Sequence, residues 1–498
     1  MSELKEQVMA TQEALRAIQA SLAQLQMAPG ARDAVGAAEE EDGLEKWARR
    51  FLDFTYQNPT TYHVVAHYAE RLEAAGFKRL EERDEWELPA EGRFYTVRNG
   101  TSLAAFVVGR DWKATDGVGV IATHCDSLAA KVRPVSVRAP VDGYELLGVA
   151  PYAGALSPVW LDRDLGLGGR VLVREAGSDR VRGRLIDSTP HPVARISTLA
   201  PHFGAAATQP LDLEKQMVPV IGYGGADAEP TDAERAAPLF GKHPLPLLRY
   251  VARLADVEVA QLVQMDLDLF DVQRGTLGGL RNDFLFAPRL DDRLCSFAAM
   301  EALLAAPAPA PAAFDAVLFF DNEEIGSRTR QGACGGLLGA VTARVLRARG
   351  ADPAALPTVF ANSLVLSADV SHLLNPMFGD QYLDGHKPVP NAGMALALDP
   401  NGHMATDSVG TAFAHDLAAA ADAPIQYFHV RNGARSGGTI GPILSSATGA
   451  RTIDLGIPQL SMHSIRAAAG SRDLGHAIRF FAGFLADWRA VYDRFRGL

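Results

Sequence analysis

Residues 316–326 read AVLFFDNEEIG, a run of five apolar residues that ends in acids. The apolar run predicts a buried strand, and Asp321, Glu323 and Glu324 follow it closely. Ligands of open α/β sheets bind beyond the carboxyl ends of the strands, so acids at this place indicate a functional site. Adjacent glutamates there point to opposite sides, which lets one bind a metal ion while the other transfers protons. A solvated acidic turn is the alternative, and three acids in four residues after a buried run make it less favoured.

Two more strand-like runs end in the same way. Residues 119–126 read GVIATHCD, in which His124 and Asp126 lie two apart and share one face of the strand. A carboxylate beside a metal-bound histidine fixes the tautomer of that histidine, although a simple buried His–Asp pair is the favoured interpretation of this segment alone. Residues 364–372 read LVLSADVSH, a buried-strand pattern that closes on Asp369.

Two other segments present further candidates. Residues 289–295 read RLDDRLC, with Asp291 just ahead of a predicted helix that runs to about Leu304, where an aspartate is most often an N-cap. Residues 452–464 read TIDLGIPQLSMHS, a strand followed by a loop that presents His463. Alone, each has an ordinary interpretation as a cap or a polar turn.

Together the five segments supply two imidazoles and three carboxylates, a set that suits two zinc ions sharing a bridging carboxylate, at roughly 3.5 to 4 Å separation in such sites. The predicted ligands are His124, Asp291, Glu324, Asp369 and His463. Glu323 then remains free as the general base. The three cysteines contain no CxxC spacing, so a thiolate zinc site is not indicated.

The chain has 498 residues, 48% of them hydrophobic and 21% charged, which is more than one core comfortably holds. Apolar strand-like runs that alternate with helical stretches predict a layered α/β catalytic domain. A stretch rich in Gly, Pro and short β-branched runs predicts an inserted, mainly β domain within it. The predicted bounds are 44–133 and 277–498 for the two parts of the catalytic domain and 134–276 for the insertion.

Residues 1–43 are predicted to form a separate amphipathic helix and linker. Leu4, Ile18 and Leu25 lie on one apolar seam of helical period, and a stretch of small and acidic residues follows Pro29. Such a helix on a linker is commonly a docking arm for self-association or for a partner.

Charge and hydropathy exclude several classes of protein. The net charge of −11 would repel nucleic acid and anionic lipid, so neither is an expected partner. No run of about 18 apolar residues occurs, and the N-terminus lacks the pattern of a secretory signal. We therefore expect a soluble protein, not a membrane protein, that is not exported by the standard route.

The motifs THCDSL, RLDDRLCSF, FDNEEIGSRTRQGA, LSADVSH and LGIPQLSMHSIR resemble the aspartyl aminopeptidase family of metallopeptidases. The likeness continues through NPTTYHVV, WLDRDLGLGGR and SGGTIGPIL and covers nearly everything from about residue 44 onward. Carried over position by position, it implies that Asp291 bridges two zinc ions in each subunit. His124 and Asp369 would complete one site, and Glu324 and His463 the other.

Three further residues match functional positions of the family. Glu323 matches the catalytic base, Asp126 the aspartate that orients the first histidine, and His202 a histidine of the inserted domain that reaches a substrate in a neighbouring subunit. The resemblance is strongest to vacuolar members with a helical propeptide. It implies an inserted domain used for oligomerisation, a tetrahedral dodecamer, synthesis in the cytoplasm and autophagic delivery to the vacuole, with the cytoplasm as the alternative location.

The expected reaction is hydrolysis of the first peptide bond of peptide substrates. The acid-selective branch of the family has Lys, Asp and Glu where Ala392, Gly433 and Ala467 stand here, so we expect a preference for neutral, leucine-like first residues. Acid selectivity restored by Arg431 or Arg435 is the alternative. A two-metal deacylase or carboxypeptidase is a rival within the enzymes. A non-catalytic autophagy cargo, bound by a receptor through the N-terminal helix, is a rival from another class.

Overall fold

The structure is a computed structural model that describes residues 43–225, 228–434 and 437–498. Its α-helices are α1 (Glu45–Gln57), α2 (Thr61–Ala74), α3 (Ala205–Thr208), α4 (Asp232–Arg235), α5 (Leu245–Leu254), α6 (Leu290–Ala305), α7 (Leu337–Ala348), α8 (Leu356–Ala361), α9 (Ser408–Ala420), α10 (Ile440–Thr448) and α11 (Asp473–Tyr492). Its strands are β1 (Lys78–Arg79), β2 (Gly92–Arg98), β3 (Ser102–Val108), β4 (Gly119–His124), β5 (Ala129–Val137), β6 (Tyr144–Tyr152), β7 (Leu165–Arg174), β8 (Val181–Asp187), β9 (Val220–Tyr223), β10 (Leu262–Asp271), β11 (Thr276–Gly278), β12 (Phe284–Ala287), β13 (Phe314–Phe320), β14 (Leu364–Ala368), β15 (Ser371–His372), β16 (Met394–Ala397), β17 (Ile425–Phe428), β18 (Arg451–Gly456), β19 (Pro458–Leu460) and β20 (Ala467–Gly470).

The largest sheet has nine strands in the order β1-β2-β3-β13-β4-β14-β18-β16-β17. Its neighbouring strands β13, β4, β14 and β18 run parallel to one another. The carboxyl ends of these four strands therefore meet along one edge of the sheet, and the residues that follow them are brought together.

Helices cover both faces of this sheet, which explains why its central strands β13, β4 and β14 are buried at every position. Along β13, Phe319 belongs to the hydrophobic cluster that contains Phe297 of α6 and Phe481 of α11. Its neighbour Leu318 belongs to the cluster on the opposite face, with Val341 of α7. Successive side chains of a strand point to opposite faces, so both faces of β13 are buried.

A second sheet, in the order β8-β7-β10-β5-β6-β9, is built from strands that lie between Ala129 and Asp271. Its strand pairs are antiparallel. Leu248 and Val251 of α5 belong to a hydrophobic cluster that is separate from the two clusters of the first sheet. The third sheet, β11-β12-β20-β19-β15, has five strands and supports the loop that carries His463.

The mixed α/β fold agrees with the class predicted from the sequence. The predicted strand at residues 119–124 is β4, and the apolar part of AVLFFDNEEIG falls in β13. Most of the predicted N-terminal helix and linker, residues 1–42, lies outside the described residues. None of the described helices combines the length and the apolar character that crossing a bilayer requires.

Candidate metal centre

Six of the predicted site residues converge where the central parallel strands end. They are termed the sheet-edge cluster: His124, Asp291, Glu323, Glu324, Asp369 and His463. His124 is the last residue of β4, Asp369 follows β14, and the two glutamates lie in a short 3₁₀ turn after β13. The approach of β18 to β14 requires glycine, because a Cβ atom on Gly456 would lie 1.3 Å from the carbonyl oxygen of Asp369.

Asp291 lies between the two histidines of the cluster. Its Oδ1 atom is 3.1 Å from Nε2 of His124, and its Oδ2 atom is 3.4 Å from Nε2 of His463. Oδ1 of Asp369 lies 3.3 Å from Nε2 of His124, and Oε2 of Glu324 lies 3.5 Å from Nε2 of His463. The possible ligand atoms fall into two groups, one of His124, Glu323 and Asp369 and one of Asp291, Glu324 and His463, and Oδ1 of Asp291 also faces the first group.

The backbone around Asp291 explains why its side chain is available. Asp291 has extended dihedral angles, φ −82° and ψ 116°, at the beginning of α6. The capping position is occupied by Asp292, whose Oδ1 accepts a hydrogen bond of 3.3 Å from the backbone N–H of Cys295. The ordinary interpretation of an aspartate before a helix therefore applies to Asp292, while the hydroxyl of Ser127 donates to the Asp291 carbonyl at 2.6 Å.

The cluster concentrates carboxylates, and no lysine or arginine among the described residues pairs with them. Within the described residues, the ion pairs of its carboxylates run to histidines and not to lysine or arginine. Burial is the main cause that raises the pKa of Glu323 to about 8 and the pKa of Glu324 to about 10. Burial alone would lower the pKa of His124, but Asp369, Asp126 and Asp291 together raise it well above its usual value. The grouped carboxylates therefore favour the binding of a cation.

The donor set fits zinc. Oε1 of Glu324 is buried and has no hydrogen-bond partner among the described residues, and Nε2 of His124 is surrounded by the carboxylate oxygens of Asp291 and Asp369. Buried polar atoms are almost always paired, so the unpaired Oε1 atom indicates an absent partner. Imidazole nitrogens and carboxylate oxygens around one point are ligands that zinc takes in proteins.

Asp126 contacts both His124 and the turn that carries the two glutamates. Its Oδ1 atom lies 3.2 Å from Nδ1 of His124 and accepts a hydrogen bond of 3.2 Å from the N–H of Glu323. Its Oδ2 atom accepts a hydrogen bond of 3.2 Å from the N–H of Glu324. One buried carboxylate therefore links the end of β4 to the turn after β13.

Three polar residues around the cluster were not anticipated from the sequence. The hydroxyl of Tyr152 donates to Asp126 at 2.7 Å and accepts a hydrogen bond of 2.8 Å from the side-chain amide of Asn322. The hydroxyl of Thr439 donates to Oδ2 of Asp369 at 3.0 Å, which leaves Oδ1 of that residue facing His124. Thr439 lies in the segment SGGTIGPIL, but no spacing rule connects it or Tyr152 to the cluster.

A cavity of about 230 Å³ adjoins the cluster. Its wall combines polar residues, among them five acids and two histidines, with the apolar residues Val370, Ala397, Met404, Phe428, Val430, Leu455 and Met462. Among the described residues, neither lysine nor arginine lines it. A carboxylate in this cavity would therefore lack a lysine or arginine partner from the described part of the wall.

The three positions that suggested a neutral substrate lie in different places. Ala392 and Gly433 do not line the cavity, whereas Ala467, buried in β20, lines a second, smaller cavity that also contacts Asp291 and His463. His202 is exposed in a short 3₁₀ helix and is not one of the residues that form the cluster. Arg435 lies outside the described residues.

Comparison with known proteins places the chain in a family. The family model for aminopeptidase I zinc metalloprotease (M18) matches residues 54–485. The chain belongs to this M18 family. It is therefore a zinc metalloaminopeptidase, as the sequence predicted.

Members of the M18 family resemble the chain over most of its length. It is 56% identical to vacuolar aminopeptidase 1 of Saccharomyces cerevisiae over 91% of each chain. It is 36% identical to an aspartyl aminopeptidase of Aspergillus oryzae, over 89% of this chain and 96% of the relative. The solved structure of the S. cerevisiae mApe1 dodecamer has 52% sequence identity and a TM-score of 0.83, and the match covers 91% of this chain and 99% of that chain.

Proposed function

We propose that each subunit binds two zinc ions in the sheet-edge cluster and uses them to hydrolyse the first peptide bond of a peptide. The observation that carries this proposal is the position of Asp291, whose two oxygens face His124 and His463 separately. A carboxylate shared in this way is typical of two-metal hydrolases. Zinc bound there would polarise the scissile carbonyl group and lower the pKa of the attacking water.

Glu323 and Glu324 have different roles in this proposal. Glu324 is 3% exposed and turned towards His463, which suits a metal ligand. The side chain of Glu323 is 15% exposed, and its Oε2 atom lies 3.9 Å from Nε2 of His124, farther than the nearest oxygens of Asp291 and Asp369, which suits a role in proton transfer. Glu323 accepts a proton from the attacking water and delivers it to the leaving amine. Asp126 holds Nδ1 of His124, so that Nε2 remains directed at the metal.

The enzyme prefers neutral, leucine-like first residues in this proposal. The apolar part of the cavity wall and the lack of a lysine or arginine among its described residues support this preference, since burying an unpaired carboxylate costs several kcal/mol. Full burial of a leucine side chain contributes about 1.5 to 3 kcal/mol, or roughly one to two orders of magnitude in selectivity. Acid-selective aspartyl aminopeptidase activity is the alternative, and an aspartyl aminopeptidase among the relatives supports it only at the level of the family.

The test is a panel of leucyl, alanyl, aspartyl, glutamyl and N-acetyl-leucyl substrates, assayed with and without a zinc chelator. We expect leucyl substrates to have the highest kcat/KM, the acetylated substrate to resist hydrolysis, and the chelator to abolish activity. Zinc analysis of the purified protein should give two ions per subunit. A higher kcat/KM for either acidic substrate would contradict the neutral preference, and hydrolysis of the acetylated substrate would favour a deacylase.

The assembly is also part of the proposal. Residues 134–276 would form an inserted oligomerisation domain in a dodecamer, and His202 would reach the substrate of a neighbouring subunit. The solved dodecamer of the yeast relative supports this arrangement. Light scattering should give a mass of about twelve subunits, and His202→Ala should raise KM without lowering the mass.

Location and receptor binding depend on residues outside the described part of the chain. We propose that residues 1–42 act as a propeptide whose helix engages an autophagy receptor, and that the enzyme made in the cytoplasm is delivered to the vacuole. The relative named vacuolar aminopeptidase 1 supports the vacuole. Deleting residues 1–42 should leave an active oligomer that no longer reaches the vacuole. An insoluble or monomeric product would show instead that this segment belongs to the folded body.

A further inference from the structure

Tyr152 is a buried residue of the second sheet that contacts the support of the metal centre. It is the last residue of β6 and is 8% exposed. Its hydroxyl makes two hydrogen bonds, donating to Oδ2 of Asp126 at 2.7 Å and accepting from Nδ2 of Asn322 at 2.8 Å. The direction of both hydrogen bonds is fixed, since a carboxylate accepts and an amide N–H donates.

These two bonds join the two segments that carry the cluster. Asp126 follows β4 and holds His124, while Asn322 precedes the glutamates and has a left-handed backbone with φ 61°. Asn322 is held in turn by the hydroxyl of Thr329, which donates to its Oδ1 at 2.8 Å. The phenol hydroxyl is therefore one fixed point from which both segments are oriented.

The ring of Tyr152 is itself held in place by the second sheet. Nζ of Lys131, on β5, lies 4.7 Å from the centre of the ring and 2.8 Å from Oδ1 of Asp268 on β10. A cation over the ring face and packing within the sheet restrict the positions that the hydroxyl can take. Asp126 therefore receives a hydrogen bond from a preorganised donor.

We propose that Tyr152 is a positioning residue of the metal centre, which acts through Asp126 to orient His124 and the turn at residues 322–324. This inference rests on the proposed two-zinc aminopeptidase function. Loss of the hydroxyl leaves Asp126 with one donor fewer, so the imidazole and the glutamate turn are held less firmly. Partners that hold metal ligands typically change metal affinity or activity by 10- to 100-fold.

The test compares Tyr152→Phe with Tyr95→Phe, which removes the hydroxyl of another buried tyrosine. Tyr95 lies on β2, and its hydroxyl donates to Oε1 of Glu73 at 2.5 Å, outside the cluster. In Tyr152→Phe we expect about a 10-fold weaker zinc affinity by chelator competition and a similar fall in kcat with zinc in excess, while KM stays within about twofold. Tyr95→Phe should retain wild-type values of all three.

A double-variant cycle separates positioning from general stability. If Tyr152 acts through Asp126, then Tyr152→Phe should cause little further loss of zinc affinity in an Asp126→Asn background. Additive losses, unchanged zinc affinity in Tyr152→Phe, or an equal loss in Tyr95→Phe would each overturn the proposal. If Tyr152→Phe does not fold, Asn322→Gly removes the other partner of the hydroxyl at a backbone conformation that glycine adopts, with the same expected and overturning results. A wild-type protein without zinc or peptidase activity would instead contradict the proposed function.

Discussion

Two regions of this molecule bury carboxylates in opposite ways. Glu301 on α6 is 3% exposed and is paired with Arg50 on α1 and Arg71 on α2, so its charge is offset within the protein. The carboxylates of the sheet-edge cluster are also largely buried, but among the described residues they face histidines and one another. The first arrangement holds helices together, while the second leaves a charge for an external cation to satisfy.

This difference shows that buried carboxylates can serve either stability or function. A buried carboxylate without a cation is costly, because desolvation of the ion is not repaid. Proteins keep such groups where a metal ion or a reaction requires them, which is why strongly shifted pKa values cluster at functional sites. The comparison therefore predicts that substitutions in the two regions will change different properties of the protein.

The largest expected effect is that of Glu323→Gln on turnover. Removing a general base costs about 10²- to 10⁴-fold in rate, and the amide keeps the size of the side chain. We expect kcat to fall by that factor, with zinc content and assembly unchanged. The measurements are steady-state kinetics and zinc analysis of the purified variant. Loss of zinc in this variant would mean that the roles of Glu323 and Glu324 are reversed.

Glu324→Gln should act mainly on the metal. The loss of a partner that only holds a ligand costs 10- to 100-fold, so the loss of a direct ligand is expected to weaken zinc binding by at least about 100-fold. Chelator competition measures this affinity, and Glu301→Gln provides the matched control, since it makes the same substitution at a carboxylate of equal exposure, 3%. Stoichiometric, tightly held zinc in Glu324→Gln would remove that residue from the ligand set.

Glu301→Gln should have the reverse effect, on stability and not on zinc. Breaking a buried ion pair costs about 3 to 5 kcal/mol, and the partial exposure of Arg50 and Arg71, 49% and 32%, reduces this to about 1 to 3 kcal/mol. Denaturant unfolding of the zinc-loaded protein should report this loss, while the zinc affinity stays at its wild-type value. A variant with lower zinc affinity and unchanged stability would break the comparison between the two regions.

The cluster could be anticipated from the sequence because its signal is local. Acids and histidines follow directly after apolar runs, and the ends of parallel strands meet at one edge, so His124, Glu324 and Asp369 were expected to lie together. Tyr152 could not be anticipated in this way. It reaches Asp126 through the register of a different sheet, which depends on contacts distant in the sequence.

The surroundings of Ala392 and the bounds of the second sheet required the structure for a related reason. The residue matched to a family lysine, Ala392, could be aligned from the sequence, but only the folded chain shows that it does not line the cavity. The second sheet begins with β5 at Ala129, inside the segment 44–133 assigned to the catalytic domain, and ends with β10 at Asp271. Composition changes gradually along the chain, so it does not locate the residue at which one sheet gives way to the next.

The last expected effect is that of Asp315, a buried carboxylate outside the cluster whose hydrogen-bond partner is an indole and not a cation. Asp315 is 5% exposed, and its Oδ1 atom accepts a hydrogen bond of 2.7 Å from the indole N–H of Trp488. Burial raises the pKa of Asp315 from 3.8 to about 7. The folded state therefore binds this proton more tightly than the unfolded state, and stability is lost as the pH rises from about 4 to about 7.

Asp315→Asn should remove that pH dependence, because the amide does not ionise and can still accept from Trp488. Relative to wild type, the variant should gain about 1 to 4 kcal/mol in the free energy of unfolding between pH 4 and pH 8, whatever its stability at pH 4. Thermal or denaturant unfolding at several pH values measures this difference, with Asp179→Asn as the control, since Asp179 is fully exposed at 105%. A difference that does not change with pH would mean that Asp315 is already ionised at low pH in the folded protein. In that case, burial without a paired cation could not explain the difference between the sheet-edge cluster and the Glu301 ion pairs.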